Sequence, residues 1–185
     1  MFLHTIDEEV SLKLASLEDA EELFQLTDTS RNHLREWLPW LDHSKTLEDT
    51  KAFIQNGRKG FAENKSLTTL VIYHGKIVGT AGFNEVDHTN KIVKIGYWLG
   101  KDHTGKGIMT RVARALTEYA INDLHMNRVE IRVADGNQRS SAIPKRLGFQ
   151  KEGRIREAEW LYDDYVDHVI YSVLASEWEG KKEIK

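Results

Sequence analysis

The stretch GYWLGKDHTGKGIMTRVARALTEYAINDL, Gly96–Leu124, decides how this chain folds. It predicts the end of a strand, a loop punctuated by glycines and a long amphipathic helix, in that order. Glycines allow backbone N–H groups to converge on an anion, and the start of a helix adds unpaired N–H groups and the positive end of the helix dipole. The layout therefore favours a ligand that carries phosphate. A tight turn that only connects the strand to the helix is the alternative.

Two familiar phosphate motifs fail in this stretch. The P-loop pattern reaches Gly105 and Lys106, but the next residue is Gly107, so the hydroxyl group that would hold Mg²⁺ is missing. A dinucleotide fingerprint needs a third glycine where the chain has Thr110. The segment that remains, Thr104–Met109, would hold a pyrophosphate through backbone amides alone and without a metal.

The composition indicates a single globular domain. The chain has 185 residues, of which 40% are hydrophobic and 30% charged, and this is ample for a core. No repeat, linker or low-complexity tract interrupts the sequence. We expect residues 1–180 to form one domain and residues 181–185 to be a frayed tail.

Charge and residue usage exclude several partners and chemistries. The formal charge is −3, with Lys and Arg scattered along the chain, which argues against direct binding of nucleic acid. The absence of cysteine excludes disulfides, thiolate metal sites and a cysteine acyl-enzyme. The eight histidines show neither His-x-x-x-His nor His-x-His spacing, so we assign no metal.

The N-terminus and the hydropathy favour the cytoplasm. The first residues, MFLHTIDEEV, carry acids where a secretory signal carries a basic region and a long apolar run. No stretch approaches the ~20 apolar residues of a membrane span. We therefore expect a cytoplasmic protein with no membrane contact.

Hydrophobic periodicity predicts an α/β chain in which strands and helices are mixed. Ser16 with Asp19, and Thr46 with Asp49, have the spacing of helix-start capping boxes. The predicted strands are Val10–Ala15, Ser66–Tyr73, Lys76–Phe83, Asn90–Leu99, Arg128–Val133 and the runs between Phe149 and Leu174. One predicted helix follows Ser16, a second lies within Ser30–Leu41 and stops at Pro39, and a third spans Thr46–Asn64. A fourth follows Gly107, and a fifth begins after Asp135–Asn137 and ends at Leu147 and Gly148.

The lengths of the connections predict the sheet topology. Short links join the three strands before the glycine loop, so these strands form an antiparallel meander. A crossover helix then joins Asn90–Leu99 to Arg128–Val133, which makes this pair parallel and adjacent. If the two strands diverge beyond Leu99, backbone groups that would have paired stay free inside the sheet. A ligand able to pair like a strand would satisfy them.

Several segments, spread over nearly the whole chain, carry a family resemblance. They are Ile95–Leu99 (IGYWL), His103–Met109 (HTGKGIM), Asn137 with Ser140, Leu147–Phe149 (LGF), His33–Pro39 (HLREWLP), Glu152 with Gly153, and Glu159. The first four resemble the GNAT superfamily of acetyl-CoA-dependent N-acetyltransferases. The last three are similar to its RimJ/RimL branch, the ribosomal-protein N-terminal acetyltransferases. The resemblance implies a central mixed, mostly antiparallel, splayed sheet flanked by helices.

The resemblance also implies a role for each matching position. The strand backbone that matches Trp98 and Leu99 pairs with the pantetheine arm, and the position of Asn137 contacts the cofactor. The position of Ser140 hydrogen-bonds the leaving sulfur, and that of Glu159 looks like the proposed general base of the RimL-type enzymes. The backbone amides that hold the CoA pyrophosphate match Thr104, Gly105, Lys106, Gly107, Ile108, Met109 and Thr110.

Structural roles are the alternatives for the same residues. Ser140 and Asn137 suit a helix cap, and Glu159 suits a solvated strand position. The chain also departs from the family pattern at the two ends of the loop, where it has Thr104 and Met109, which backbone binding tolerates. At Lys94 the branch often carries Glu, and this puts a carboxylate base on that strand in doubt.

Pro144 is a further departure, and it bears on where the second helix begins. In a helix that began at Asn137, the proline would clash with the carbonyl of Ser140. A helix that begins near Ser141 would place the proline in the permissive first turn. The orientation of Ser140 depends on which of these holds.

The chemistry favours an α-amine as the acceptor of the acetyl group. An α-amino group titrates at about 7.7–8.0 and a lysine at about 10.4, so deprotonation favours the α-amine by around 3 kcal/mol. One carboxylate acting through water would then suffice as base, with Glu159 as the candidate and Ser140 as hydrogen-bond donor to sulfur. We expect direct transfer without a covalent enzyme intermediate.

The resemblance points to the N-terminus of a protein, such as a ribosomal protein, as the acceptor. Trp37 and Trp40 would line a groove for an extended peptide, and packing onto the core is the alternative for both. A small amine, namely a polyamine, an amino acid or an antibiotic, is the second candidate acceptor. A non-catalytic CoA-binding module is a further alternative. Relatives of RimL type suggest a homo-oligomer.

Overall fold

The computed structural model describes residues 3–179, so the predicted frayed tail at 181–185 lies outside the described residues. The strands are β1 Leu3–Thr5, β2 Val10–Leu14, β3 Leu67–Tyr73, β4 Lys76–Asp87, β5 Ile92–Leu99, β6 Arg128–Ala134, β7 Gln150–Leu161 and β8 Asp164–Leu174. The helices are α1 Ala20–Thr29, α2 Arg31–Arg35, α3 Leu47–Ala62, α4 Ile108–Glu118, α5 Gln138–Arg146 and α6 Ala175–Glu179. All eight strands form one sheet in the order β1-β2-β3-β4-β5-β6-β8-β7. This mixed sheet with flanking helices confirms the predicted fold class.

Capping boxes form at two helix starts, as the sequence predicted. The Asp49 N–H donates to Thr46 Oγ1 at 3.2 Å, and the Thr46 N–H donates to the Asp49 carboxylate at 2.8 Å. Before α1, the Ser16 N–H donates to the Asp19 carboxylate at 2.9 Å. Each pair satisfies N–H groups that a helix start leaves without partners.

The strands around the glycine loop have the predicted directions, but they part earlier than expected. β3, β4 and β5 form an antiparallel meander, and β6 runs parallel to β5. The parallel pairing ends at Ile95 and Ile131, whereas the sequence analysis placed the divergence beyond Leu99. Past this point the side chain of Tyr97 on β5 contacts the first turn of α5. Gly96–Leu99 therefore pair with β4 on one side and with no strand on the other.

Helices cover both faces of the sheet. Side chains alternate between the faces along each strand. On the face that α4 and α5 cover, which we call the α4 face, Val112 and Val129 belong to the larger core. On the face that α1 and α3 cover, the α1 face, Leu23 belongs to a smaller core. The two faces meet at the end of β5, where Tyr97 packs against the larger core and Trp98 against the smaller one.

A charged network ties the last three strands together. Arg128 on β6 donates to Glu152 on β7 at 2.6 Å and to Glu130 at 2.9 Å. Ser172 on β8 donates to the same Glu152 carboxylate at 2.6 Å. The hydrogen bonds from Arg128 and Ser172 lower the pKa of Glu152 to about 2. The network thus fastens the edge strand β7, which carries Glu159.

We predict that Glu152→Gln lowers the free energy of unfolding near neutral pH and that the difference shrinks in acid. The pKa of this carboxyl is lower in the folded chain than in the unfolded chain. Its contribution is therefore present above the unfolded pKa of about 4.3 and is lost as the pH falls towards about 2. Urea denaturation of both proteins at about pH 7, 4 and 2.5 measures the difference. Glu21→Gln on the exposed side of α1 is the control. An equal difference at every pH would contradict the assigned network.

Candidate active site

A groove of about 960 Å³ opens where β5 and β6 part. Four segments line it: the α2 region (His33, Leu34, Glu36, Trp37, Leu38), the end of β5 (Tyr97, Trp98, Leu99), the glycine loop with the first turn of α4 (Thr104, Gly105, Gly107, Ile108, Met109, Thr110, Arg111), and the start and inner side of α5 (Gly136, Asn137, Gln138, Arg139, Ser140, Ile143, Arg146). Of the residues that the sequence analysis assigned to the cofactor, Lys106 alone is missing from this lining. Ser140 and Trp37 line the groove. Trp40 and Glu159 do not.

The glycine loop leaves open space beside the groove. Gly105 and Gly107 have φ angles of 78° and 71°, in the left-handed region that glycine adopts without strain. A Cβ atom at either position would meet nothing within 4 Å. Gly107 is the N-cap of α4, and no side chain caps the helix there. The N–H groups of the first helical turn are therefore available to an anion.

The end of β5 offers a second set of backbone groups. Trp98 pairs with Thr80 and Leu99 with Gly79, both on β4. On the opposite side the pairing with β6 has already ended. The N–H and C=O groups on that side face the groove, where an extended ligand can pair with them.

Two arginines line the groove beside the loop. Arg111 Nη1 lies 2.9 Å from the carboxylates of both Asp7 and Glu9, in the turn between β1 and β2. Arg146 Nη1 lies 3.3 Å from Thr110 Oγ1, which joins the end of α5 to the start of α4. Neither arginine was predicted from the sequence. Arg111 lies in the first turn of α4, next to the loop along the chain, whereas Arg146 comes to the loop only through the packing of α5 against α4.

Lys106 points away from the groove. Its Nζ lies 5.8 Å from the centroid of the Tyr73 ring. The role that the resemblance implies for Lys106 belongs to its backbone N–H, which stays in the loop between the two glycines. That role remains a prediction.

Asn137 caps α5. The helix begins at Gln138, and Asn137 Oδ1 accepts the N–H of Ser140 at 3.1 Å. The capping interpretation of Asn137 is thereby confirmed, while its contact with the cofactor stays a prediction. The cap holds Ser140 in the first turn, at the wall of the groove.

Pro144 lies inside α5, so the helix start near Ser141 is wrong. Proline has no N–H to donate to the carbonyl of Ser140, four residues earlier. That carbonyl instead accepts the hydroxyl of Tyr97 at 3.1 Å. Burial raises the pKa of Tyr97, so the hydroxyl keeps its proton and remains a donor. The sequence analysis missed Tyr97, because its partner comes from a distant helix.

The α2 region forms the wall opposite α5. α2 is shorter than predicted and is followed by a 3₁₀ turn at Pro39–His43. Trp37 Cη2 lies 3.4 Å from the Cβ position of Gly136, so the tryptophan reaches across to the turn before α5. Trp40 instead packs on Trp98, with ring centroids 6.1 Å apart. Trp40 remains 38% exposed and does not line the groove.

His33 and Glu36 are groove residues that the sequence analysis left without a role. Burial is the main cause that lowers the pKa of His33, and the charge of Arg139 lowers it further, while Glu36 opposes both effects. The imidazole is therefore neutral near pH 7. The sequence signal that could have grouped His33 with Glu36 is their spacing, because residues three positions apart lie on one side of a helix.

Glu159 lies on the other face of the sheet from α5. A bulge in β7 shifts the register and places Glu159 opposite Val166. Glu159 Oε2 lies 2.9 Å from Nε2 of His168, which pairs with Ala134 at the end of β6. Alternation along β6 and β8 puts these side chains on the α1 face, the face on which Trp40 packs. Its role as base remains a prediction.

Two further features concern residues 3–179. No group of three or more His, Asp or Glu side chains there is arranged to hold a metal ion. None of the helices in this range is long and apolar enough to cross a membrane.

Comparisons with known proteins agree with this geometry. Residues 10–150 match the family model of the acetyltransferase (GNAT) domain. YdaF of Bacillus subtilis (strain 168), provisionally named a ribosomal N-acetyltransferase, is 33% identical over 183 residues, which are 98% of this chain and 100% of YdaF. RimL, the ribosomal L7/L12 α-N-protein acetyltransferase in complex with coenzyme A, has a TM-score of 0.90 at 26% identity, over 94% of this chain and 98% of that one.

A fourth comparison is with an acetyltransferase of microcin self-immunity. The microcin C7 self-immunity acetyltransferase MccE, in complex with acetyl-CoA and AMP, has a TM-score of 0.87 at 32% identity, over 91% of this chain and 94% of that one.

The splayed sheet, the open glycine loop and the matches together define an acetyltransferase. The chain belongs to the GNAT family, and its relatives include ribosomal-protein acetyltransferases of RimJ/RimL type, so both parts of the resemblance are confirmed. Enzymes of this family take the acetyl group from acetyl-CoA.

Proposed function

We propose that this chain transfers the acetyl group of acetyl-CoA to the N-terminal α-amine of a protein, in the manner of the ribosomal-protein acetyltransferases. The observation that carries the proposal is the groove between β5 and β6. There an open glycine loop, an uncapped helix start and unpaired strand backbone meet in one continuous space. A ribosomal acceptor implies a cytoplasmic reaction. The homo-oligomer stays a prediction, which light scattering tests.

The groove fits acetyl-CoA along its length. The N–H groups of Thr104–Thr110 and the positive end of the α4 dipole suit the pyrophosphate. The strand backbone at the end of β5, where the pairing with β6 has ended, suits the amides of the pantetheine arm. Arg146 adds a cation that suits phosphate, whereas the charge of Arg111 is already matched by Asp7 and Glu9. We therefore assign acetyl-CoA to this groove.

The transfer needs a neutral amine and help for the departing thiol. We assign Glu159 as the general base. Because its carboxylate lies beside His168 and outside the groove wall, it acts through water. We assign Ser140 to donate a hydrogen bond to the leaving sulfur. The amine nitrogen forms a bond to the carbonyl carbon as the carbon–sulfur bond breaks. Its proton passes through water to Glu159 and on to solvent. Coenzyme A departs as the thiolate, which accepts the hydrogen bond of Ser140 and then takes a proton from solvent.

The positions of Ser140 and Glu159 suggest from which face of the sheet each substrate enters. Ser140 lies with α5 on the α4 face, and Glu159 lies on the α1 face. We infer that acetyl-CoA enters from the α4 face and the acceptor amine from the α1 face. They meet in the gap where β5 and β6 part. Trp37, in the α2 wall, then borders the acceptor.

A small amine is the second candidate acceptor. The similarity to MccE, whose structure holds AMP besides acetyl-CoA, supports it. An α-amine is common to both candidates if the small molecule is an amino acid derivative. In that case a protein acceptor and a small-molecule acceptor are distinguished by the size and sequence of the acceptor and not by the chemistry of the transfer.

We predict that Gly107→Asp weakens acetyl-CoA binding by at least about tenfold, because the new carboxylate stands where a phosphate binds. Aspartate and asparagine tolerate a left-handed φ better than other residues, so strain contributes little. Gly107→Asn is the matched control of the same size without charge, and we expect it to lose less affinity. Calorimetric titration with acetyl-CoA in metal-free buffer measures both. Equal affinity in the aspartate variant and the unaltered protein would remove the phosphate site from this loop.

We predict that Glu159→Gln lowers kcat/KM near neutral pH by about a hundredfold, because a general base contributes about 10²–10⁴ in rate. Acetyl-CoA affinity should stay unchanged, since the carboxylate lies outside the groove wall. Glu157→Gln, two residues away in the same bulge, is the matched control. Release of coenzyme A in the presence of a Ser-starting peptide measures the rates. A Glu159→Gln rate like that of the control would move the base to another residue.

We predict that Ser- and Ala-starting peptides react faster than the same peptides with blocked N-termini and faster than spermidine. The reason is the lower pKa of the α-amine, which leaves about a tenth of it neutral near pH 7. Values of kcat/KM for the three acceptors measure the preference. If blocked peptides with a free lysine, or spermidine, react as fast, then the acceptor assignment is wrong although acetyl transfer stands.

A further inference from the structure

The carbonyl oxygen of Ser140 has an unusual partner for a helical carbonyl. Inside an α-helix it would accept the N–H of the residue four positions later, which here is Pro144 and has no N–H. The proline ring also pushes this carbonyl away from the helix axis. The chain fills the vacant position with the hydroxyl of Tyr97, 3.1 Å away on β5. A helical bond within α5 is thus replaced by a bond between α5 and the sheet.

The same hydroxyl lies beside the side chain of Ser140. The distance from Ser140 Oγ to Tyr97 Oη is 3.5 Å, at the long limit of a hydrogen bond. Tyr97 has one hydroxyl proton, which it donates to the Ser140 carbonyl in a hydrogen bond. The Ser140 hydroxyl proton is therefore held only weakly and stays available to a group in the groove, which both residues line.

We propose that Tyr97 is a positioning residue for acetyl transfer, which acts by holding the carbonyl of Ser140 and so fixes the Ser140 hydroxyl towards the groove. Asn137 holds the N–H of Ser140 at 3.1 Å and Tyr97 holds its C=O, so both backbone groups of one residue are anchored. The inference rests on the proposed function, in which Ser140 donates to the leaving sulfur. Tyr97 itself is not the donor, because its proton is already committed.

The test is a double-mutant cycle between Tyr97→Phe and Pro144→Ala. Tyr97→Phe keeps the ring and removes the hydroxyl that donates to the Ser140 carbonyl. Pro144→Ala restores a backbone N–H that can donate to the same carbonyl. We expect Tyr97→Phe alone to lower kcat by about tenfold and to leave KM for acetyl-CoA within about twofold. In the Pro144→Ala background the same change should lower kcat by no more than about twofold.

A second cycle locates the effect at the Ser140 hydroxyl. Ser140→Ala removes the hydroxyl and keeps the carbonyl, so Tyr97→Phe should have little further effect on kcat in that background. If Tyr97 were a proton donor in its own right, Tyr97→Phe would lower kcat equally in all three backgrounds. That result would overturn the inference.

Unfolding free energies of the first cycle provide a readout that needs no activity. Tyr97→Phe should destabilise the protein less in the Pro144→Ala background than in the unaltered one, and an equal loss would overturn the inference. The failure of the proposed function looks different. In that case the unaltered protein would release no coenzyme A with any amine, while the stability cycle would still report on the Tyr97 bond.

Discussion

The site depends on one constraint, the end of pairing between β5 and β6 at Ile95 and Ile131. Backbone N–H and C=O groups left inside a protein without partners cost about 1–3 kcal/mol each, so such a gap persists only where something else can bind them. The crossover topology requires the next helix to start at the carboxyl end of β5. The positive end of α4 therefore faces the gap. Sheet, loop and helix thus present donors to one space, and a phosphate-bearing, strand-like ligand is the molecule that suits all three.

The gap also connects the two faces of the sheet. Tyr97 and Trp98 are neighbours in sequence, yet alternation sends one to the α4 face and the other to the α1 face. The α4 face carries the start of α5 with Ser140, and the α1 face carries Glu159 beside His168. In the proposed reaction, Ser140 and Glu159 would therefore act on one carbonyl from opposite sides of the sheet.

The sequence predicted those features that depend on near neighbours. The capping box of Thr46, the glycine loop and the meander follow from spacings of a few residues, and the structure confirms them. Features set by docking between distant elements were missed. Arg146 reaches the loop only after α5 has packed against α4, and Arg111 meets Asp7 and Glu9 only after the N-terminal turn has packed there. The bulge in β7 next to Glu159 could not be predicted from periodicity either, because a bulge breaks the alternation of side chains along a strand.

Pro144 shows why a local rule can fail at a functional site. Judged within α5 alone, a proline in the interior costs about 3 kcal/mol and argues for a later helix start. In the complete fold, the Ser140 carbonyl accepts a hydrogen bond from Tyr97 in place of the helical one. The contact between α5 and β5 therefore offsets part of the cost of the proline. An ordinary residue at 144 would let the carbonyl accept a bond within the helix. With proline the carbonyl accepts from the strand instead, and the residue so anchored lines the groove.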